Sequence, residues 1–532
     1  MTYNYRPIVL VILDGWGEWD TKMGNPVSCA LLPTIDELDQ YYPKILIEAS
    51  SLAVGLPWGV FGNSEVGHQT IGSGQIIYHY LPTIIAAIQS RRFFNDETLL
   101  SAIKHVKKYD SALHLIGLLS DGGVHSHVDH LYALLQLAKE QGLNKVYIHA
   151  LMDGRDTPPH EGKRFIEELT IQINKIGVGH LATMVGRYYT MDRNCNYDRV
   201  EKGLLACMQG EGIKTSDPLG ELDKQYNDKK TDEYIEPVVL TGPDSNPIGL
   251  IQENDALINF NFRADRARQI SYAITGQVKD KLGNLVMPDN LFYIGFSKYA
   301  DDLDVPAVFS PQKITTRVGE ILSRKNKKQL RIAETEKFAH VTYFFNGGLS
   351  DPFPGEERIF VPSKNVKSYA TIPEMSAPEV TKKLLEAINS NKYDFILVNY
   401  ANTDMVGHTG DFKAGVKTLE IVDIELKKVI KATLALNGCL LITADHGNIE
   451  EMLNLETGEI DTQHSTNPVP FRLVAKDFRF KEPVENQSKE IKGMLADIAA
   501  TILDLFNIKK PTNMVGETLL DRFKNNLYDP HL

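Results

Sequence analysis

Cysteine is scarce in this sequence. Four cysteines in 532 residues (Cys29, Cys195, Cys207, Cys439) stand apart, without CxxC spacing. They build neither a disulfide framework nor a zinc ribbon, and reduced thiols in a cytoplasmic protein are expected. Long apolar runs are missing as well. The run at the N-terminus, Ile8 to Leu13, is too short for a signal-peptide core or a membrane span. It ends in Asp-Gly and reads better as a buried strand. No basic stretch is interleaved with aromatics, and the formal net charge is -12, which argues against nucleic acid as a partner. There is no GxSxG elbow and no GxxxxGK[ST] loop, so acyl-transfer hydrolases and P-loop chemistry lose support.

The remainder is ordinary globular composition, 42% apolar and 24% charged. The length exceeds what one core usually holds, so two or three domains are expected. Several segments repeat one theme, an aliphatic run followed by a polar cluster: IVLVILDGWG, LHLIGLLSDGG, VYIHALMDGRD, LATMVGRYY, ALINFNFRAD, FILVNYANTD and CLLITADHGN. Helix-like stretches separate them, such as Val128 to Gln141, Glu161 to Ile176 and Ala414 to Leu436. Buried strands alternating with helices predict an α/β fold with parallel sheets. The charged segment Asp223 to Glu236 reads as a surface loop.

Ligands in such folds gather where strands end, so the residues after each run can be sorted by chemistry. Asp14, Asp404 with His408, and Asp445 with His446 follow the first run and the last two, and are metal-ligand types. His125, Arg155, Asp156, Arg187, Arg193, Arg263 and Arg266 follow the central runs, and the arginines among them are anion binders. The simplest architecture is a discontinuous domain, 1–78 with 313–532, carrying an inserted α/β domain, 79–312. Asp404 and His408 have helical i, i+4 spacing, and His464 lies in a polar loop. Nitrogen and oxygen donors without sulfur suit Mn²⁺, Zn²⁺, Co²⁺ or Mg²⁺. Each motif alone has a plain alternative, a turn or a helix cap. Ser64, set among glycines in Gly59 to His68, could be a nucleophile favoured by a helix N-terminus, and on composition alone a simple cap has the better claim.

Taken together, LDGWG, GNSEVGHQTIGSG, LSDGGVHSH, HALMDGRDTPP, GRYYTMDR, FNFRADRARQ, ETEKFAHVTYFFNGG, NYANTDMVGHTG and ITADHGN resemble cofactor-independent phosphoglycerate mutases. They occur in that family's order across nearly the whole chain. The metal-type motifs are also similar to the wider alkaline phosphatase superfamily. The resemblance implies an alkaline-phosphatase-like metal domain with an inserted substrate-binding domain. It implies two divalent ions, manganese by preference, one on Asp404, His408 and His464, the other on Asp14, Ser64, Asp445 and His446. Ser64 would carry the phosphate. His125, Arg155, Asp156, Arg187, Arg193, Arg263, Arg266 and Lys337 would bind substrate, with Asp156 and Lys337 also catalytic. The expected reaction interconverts 3- and 2-phosphoglycerate through a phosphoserine, without 2,3-bisphosphoglycerate, in a cytoplasmic monomer with a small-molecule substrate. A hinge near the two joints is expected. The rival readings are a metal-dependent phosphatase or phosphodiesterase on the same scaffold, and a metabolite-sensing protein without turnover.

Overall fold

Each of the seven apolar runs lies in a β-strand of the computed structural model, which describes residues 3–485 and 487–528. The chain divides into two compact units, Met1–His79 with Gln312–Leu532, and Tyr80–Pro311. Each unit is built on its own eight-stranded sheet.

In the first unit the strand order is Glu356–Val361, Gln329–Glu334, Phe395–Tyr400, Ile8–Leu13, Cys439–Thr443, Val469–Val474, Lys44–Glu48, Ile491–Met494. The first five run parallel, and Val469–Val474 is antiparallel to both its neighbours. Ile8–Leu13 has parallel partners on both sides, and all six of its residues are buried. That explains why it reads as an unbroken aliphatic run rather than an alternating one. The long helix Phe412–Ala435 buries Leu419, Val422, Leu426 and Val429 along one stripe and packs against helix Ala377–Asn389. It also serves a neighbour. Helix Pro33–Tyr41 has no capping side chain of its own, and the buried Asp423 carboxylate accepts from the backbone N–H groups of Thr34 and Ile35 at 3.0 and 2.9 Å. Its charge also complements the positive end of that helix.

In the second unit the order is Ala307–Phe309, Phe292–Ser297, Ala256–Asn259, Leu113–Leu119, Val146–Met152, His180–Gly186, Val238–Leu240, Ile213–Thr215. Only the pairing of His180–Gly186 with Val238–Leu240 is antiparallel. The sheet's core contains Leu115, Ile148, Met184 and Ile258.

The segment Asp223 to Glu236 is not the surface loop its charge suggests. Its start lies in helix Pro218–Asn227, capped by Asp217, with Pro218 in the first turn. Within the segment Gln225, Asp232 and Ile235 are buried. Asp232 accepts from the Tyr226 hydroxyl at 2.5 Å and from the Gly162 N–H at 2.8 Å. The charge there is partly internal wiring, which composition cannot distinguish from a solvated face.

The second unit also buries a histidine without a partner. His130, on helix Val128–Glu140, lies against Phe262 and Phe296, and neither ring nitrogen is hydrogen-bonded. Burial, helped by His127, lowers its pKa to about 3. The folded pKa thus lies below the unfolded value, so the neutral ring's contribution is intact above pH ~6.5 and is lost as pH falls towards 3. At pH ~5 the loss is about 2 kcal/mol. Thermal unfolding at pH 7 and pH 5 should show a smaller acid loss in His130→Leu than in the parent. Equal losses would contradict this.

Candidate active site

Four neighbouring parallel strands of the first unit, Gln329–Glu334, Phe395–Tyr400, Ile8–Leu13 and Cys439–Thr443, end on the same edge of the sheet. Lys337 follows the first of them, Asp404 and His408 the second, Asp14 the third, and Asp445 and His446 the fourth. Asp404 lies in helix Asn402–Gly407 and His408 caps its C-terminus. Two glycines allow the close approach of these turns. Gly15 (φ +73°) would place a Cβ 2.8 Å from the Asp404 Cα, and a Cβ on Gly67 would meet the Asp445 carbonyl oxygen at 2.6 Å. Any side chain at either position would drive the ligand-type residues apart.

Ser64 opens helix Ser64–Ser73 as its first residue. The cap is Asn63, whose side chain accepts from the Val66 N–H at 3.0 Å. Ser64 is therefore not the cap, and its Oγ is free for other partners. It lies 3.1 Å from Asp14 Oδ1, 3.0 Å from His446 Nε2 and 2.6 Å from Lys337 Nζ. Lys337 Nζ also lies 2.6 Å from both Asp14 Oδ1 and Asp404 Oδ2.

His408 and His464 face each other, Nε2 to Nε2, at 3.0 Å. Asp404 Oδ1 lies 3.2 Å from the first and 3.1 Å from the second. The Nδ1 atoms point the other way, His408 to the Thr462 carbonyl at 2.7 Å and His464 to the Gly62 carbonyl at 2.8 Å. Those carbonyls fix the tautomer, so each ring offers its Nε2 lone pair to the shared space. His446 Nε2 lies 3.4 Å from Asp14 Oδ1 and 3.8 Å from Asp445 Oδ2.

This donor set fits metal ions. Separations of about 3 Å are what neighbouring ligands leave when each lies about 2.1 Å from one ion. Donor atoms of Asp14, Asp445 and His446 cluster within 4.8 Å of one another, as do those of Asp404, His446 and His464. Asp445 Oδ2 is buried without a hydrogen bond. His68 Nδ1, 3.0 Å from it, is directed at the Ser64 carbonyl oxygen at 2.9 Å. Charge points the same way. Burial pushes the Asp14 and Asp404 carboxyls up, but Lys337 and the neighbouring imidazoles outweigh it and hold both below the usual carboxylate range. Burial lowers the His446 pKa, yet Asp445, Asp14 and Asp404 raise it to about 9. A buried excess of carboxylate is a site that draws cations.

The second unit carries a different set, again on neighbouring parallel strands. Residues after Leu113–Leu119, Val146–Met152, His180–Gly186 and Ala256–Asn259 supply His125; Arg155 and Asp156; Arg187 and Arg193; and Arg263 and Arg266. Arg187 is buried and donates from one nitrogen to Asp153 Oδ1 at 2.5 Å and to Asp156 Oδ2 at 2.6 Å. Asp265 pairs with Arg193 and Arg263, each at 3.1 Å. His125 lies 3.8 Å from Asp156 and 3.9 Å from Asp265. Burial, then Arg187, lowers the His125 pKa to about 4, so the ring is neutral at physiological pH. Arg266 donates to the Met191 carbonyl at 2.9 Å. Burial lowers its pKa, and so do Arg187, Arg193 and Arg155. The structure thus gathers the seven strand-end residues into one basic cluster. Lys337 belongs to the other unit, beside Ser64.

Several residues that hold these groups escaped the sequence reading. Asp153 orients Arg187, and Asp265 links Arg193 to Arg263. Asn448 Nδ2 donates to Asp404 Oδ1 at 2.9 Å, and Asn399 Nδ2 donates to Asp14 Oδ2 at 2.6 Å. Asp153 carried the same signal as Asp14, an aspartate closing a strand run. Asn399 was visible only as a polar residue inside FILVNY.

Over 518 residues, 97% of this chain and 99% of the relative, the protein is 46% identical to the 2,3-bisphosphoglycerate-independent phosphoglycerate mutase of Clostridium botulinum (strain ATCC 19397 / Type A). The chain belongs to the 2,3-bisphosphoglycerate-independent phosphoglycerate mutase family. The mutase of Clostridioides difficile (strain 630) is 44% identical over 518 residues, 97% of this chain and 99% of that one. The family model of the Metalloenzyme superfamily matches residues 6–510, so this mutase family member is also a metalloenzyme superfamily member. Among solved structures, the Leishmania mexicana phosphoglycerate mutase, crystallised at low cobalt concentration, matches with a TM-score of 0.55 and 30% identity. The match covers 97% of this chain and 98% of that one.

Proposed function

We propose that this enzyme interconverts 3-phosphoglycerate and 2-phosphoglycerate, in glycolysis and gluconeogenesis, with Ser64 carrying the phosphoryl group between the two hydroxyls. The observation that carries the reading is the surroundings of Ser64 Oγ: a lysine, a carboxylate and an imidazole within 3.1 Å, at the start of a helix capped by another residue. Asp404, His408 and His464 would hold one divalent ion, and Asp14, Ser64, Asp445 and His446 the other, both Mn²⁺ in this reading. When bound, the ions supply Lewis-acid polarisation and neutralise phosphoryl charge.

The chain's own residues do the rest. The Ser64 hydroxyl loses its proton to solvent, and the Lys337 ammonium, 2.6 Å from Oγ, stabilises the alkoxide while Asp14 stays ionised. Ser64 Oγ attacks phosphorus in line. The Oγ–P bond forms, the bond from phosphorus to the glycerate O3 breaks, and O3 takes a proton from Asp156. In the second half the glycerate 2-hydroxyl returns a proton to Asp156 and attacks phosphorus. The P–Oγ bond breaks, and Ser64 recovers its proton. Two inversions give net retention at phosphorus. The arginines of the basic cluster bind the carboxylate and phosphate, for which guanidinium forks are the geometric match. His125, neutral at physiological pH, can hydrogen-bond without adding charge.

A cytoplasmic monomer acting on a small molecule is part of the proposal. Four free cysteines fit a reducing compartment; among the described residues no helix is long and apolar enough to cross a membrane. An enolase-coupled assay with 3-phosphoglycerate, Mn²⁺ and no added 2,3-bisphosphoglycerate tests the activity. 2-Phosphoglycerate is the expected product. Release of inorganic phosphate in its place would mean that water is the acceptor and that the chain is a phosphatase.

A further inference from the structure

Ligand side chains hold their geometry only when something outside the ligand set fixes them. For the donors around Asp14 and Asp445, that something is two residues in contact with each other. Asn399, on strand Phe395–Tyr400, is buried, and so is His68, on helix Ser64–Ser73. Asn399 Nδ2 lies 2.6 Å from Asp14 Oδ2 and 3.0 Å from His68 Nε2. Its two N–H groups therefore serve one carboxylate and one ring. The opposite amide orientation would set a carbonyl oxygen against the carboxylate, so the flip is decided. The His68 Nε2 is then an acceptor, and the ring proton belongs to Nδ1. That proton is directed at the Ser64 carbonyl oxygen, 2.9 Å away, and Nδ1 stands 3.0 Å from Asp445 Oδ2, which accepts no hydrogen bond.

We infer that Asn399 and His68 form a bracket that holds Asp14 and the Ser64 backbone by hydrogen bonds, with the His68 ring set against Asp445, for one of the two ions. The inference rests on the metal reading above. One strand, one helix and two ligand-bearing turns meet through this pair, and neither residue is itself among the ligands. Asn399 Oδ1 is buried and unpartnered, a desolvation cost accepted where the two donors are needed.

The test is Mn²⁺ titration of chelator-treated protein, read by calorimetry, with the parent binding two ions. Asn399→Leu keeps the volume and removes both donors. It should bind one ion as the parent does and the other about 10- to 100-fold more weakly. His68→Leu should do the same. His68→Asn, whose amide N–H can stand where Nδ1 stands but which leaves Asn399 without its acceptor, should recover part of that loss. Activity measured with saturating Mn²⁺ should recover in step with occupancy. Both ions binding to Asn399→Leu and to His68→Leu within about twofold of the parent would overturn the bracket. So would His68→Asn behaving as His68→Leu does, since packing alone would then explain the effect. If one leucine variant fails to fold, the other carries the same comparison. A parent that binds no second ion would overturn the metal reading itself, a failure visible before any variant is compared.

Discussion

Ser64→Ala should lose mutase turnover by about 10⁴-fold or more, as expected when a covalent nucleophile is removed. The fold should hardly notice. Helix Ser64–Ser73 is capped by Asn63, and the lost hydroxyl leaves a helix position where alanine is favourable. Asp14, Asp445 and His446 remain, so most of the Mn²⁺ affinity should persist. Circular dichroism, thermal unfolding and metal titration on one preparation separate the effects. A variant keeping turnover within tenfold of the parent would remove the covalent route. A variant that lost its fold would show that Ser64 had a structural task unseen in its contacts.

Lys337→Met should destabilise the chelator-treated protein by about 3–5 kcal/mol, the usual cost of stranding buried charge. Lys337 is buried, and its ammonium lies 2.6 Å from oxygens of both Asp14 and Asp404, which are buried too. Asp14, Asp404 and Lys337 share one desolvated space, and without the lysine the carboxylates lose their nearest cation. Mn²⁺ should return much of that stability by supplying positive charge to the same carboxylates. Turnover should stay low even with metal, because Ser64 Oγ has lost its 2.6 Å donor. Thermal unfolding in chelator and in Mn²⁺ measures the difference. Equal unfolding temperatures for Lys337→Met and the parent in chelator would contradict this electrostatic account.

Much of this was legible in the sequence because strand ends are legible. FILVNY and CLLIT are buried on both faces, so they read as plain aliphatic runs, and the residues just past a parallel strand face the ligand edge. Asp14, Asp404 and Asp445 were found that way, from segments some 400 residues apart in the chain, and they converge because Ile8–Leu13 pairs with both Phe395–Tyr400 and Cys439–Thr443. The strand before Lys337 was not legible. Gln329–Glu334 carries Arg331 at its centre, fully buried between the Phe345 and Phe395 rings and 3.8 Å from Glu356. A buried arginine inside a strand defeats any apolar pattern, so Lys337 came from resemblance alone. Asp223 to Glu236 failed for the same reason in reverse, its charges serving partly as internal contacts. Asn399 and His68 were hidden because their importance lies in a 3.0 Å contact between a strand and a helix 331 residues apart. No local pattern records that.

Mass spectrometry of the phosphorylated enzyme tests the central claim most directly. Protein loaded with Mn²⁺, mixed with 3-phosphoglycerate and quenched in acid within one turnover should show a single phosphoryl adduct. Peptide mapping should place it on Ser64, and the alanine variant should lack it. Unmodified Ser64 throughout, in enzyme that is visibly forming 2-phosphoglycerate, would mean that the phosphate moves by another path.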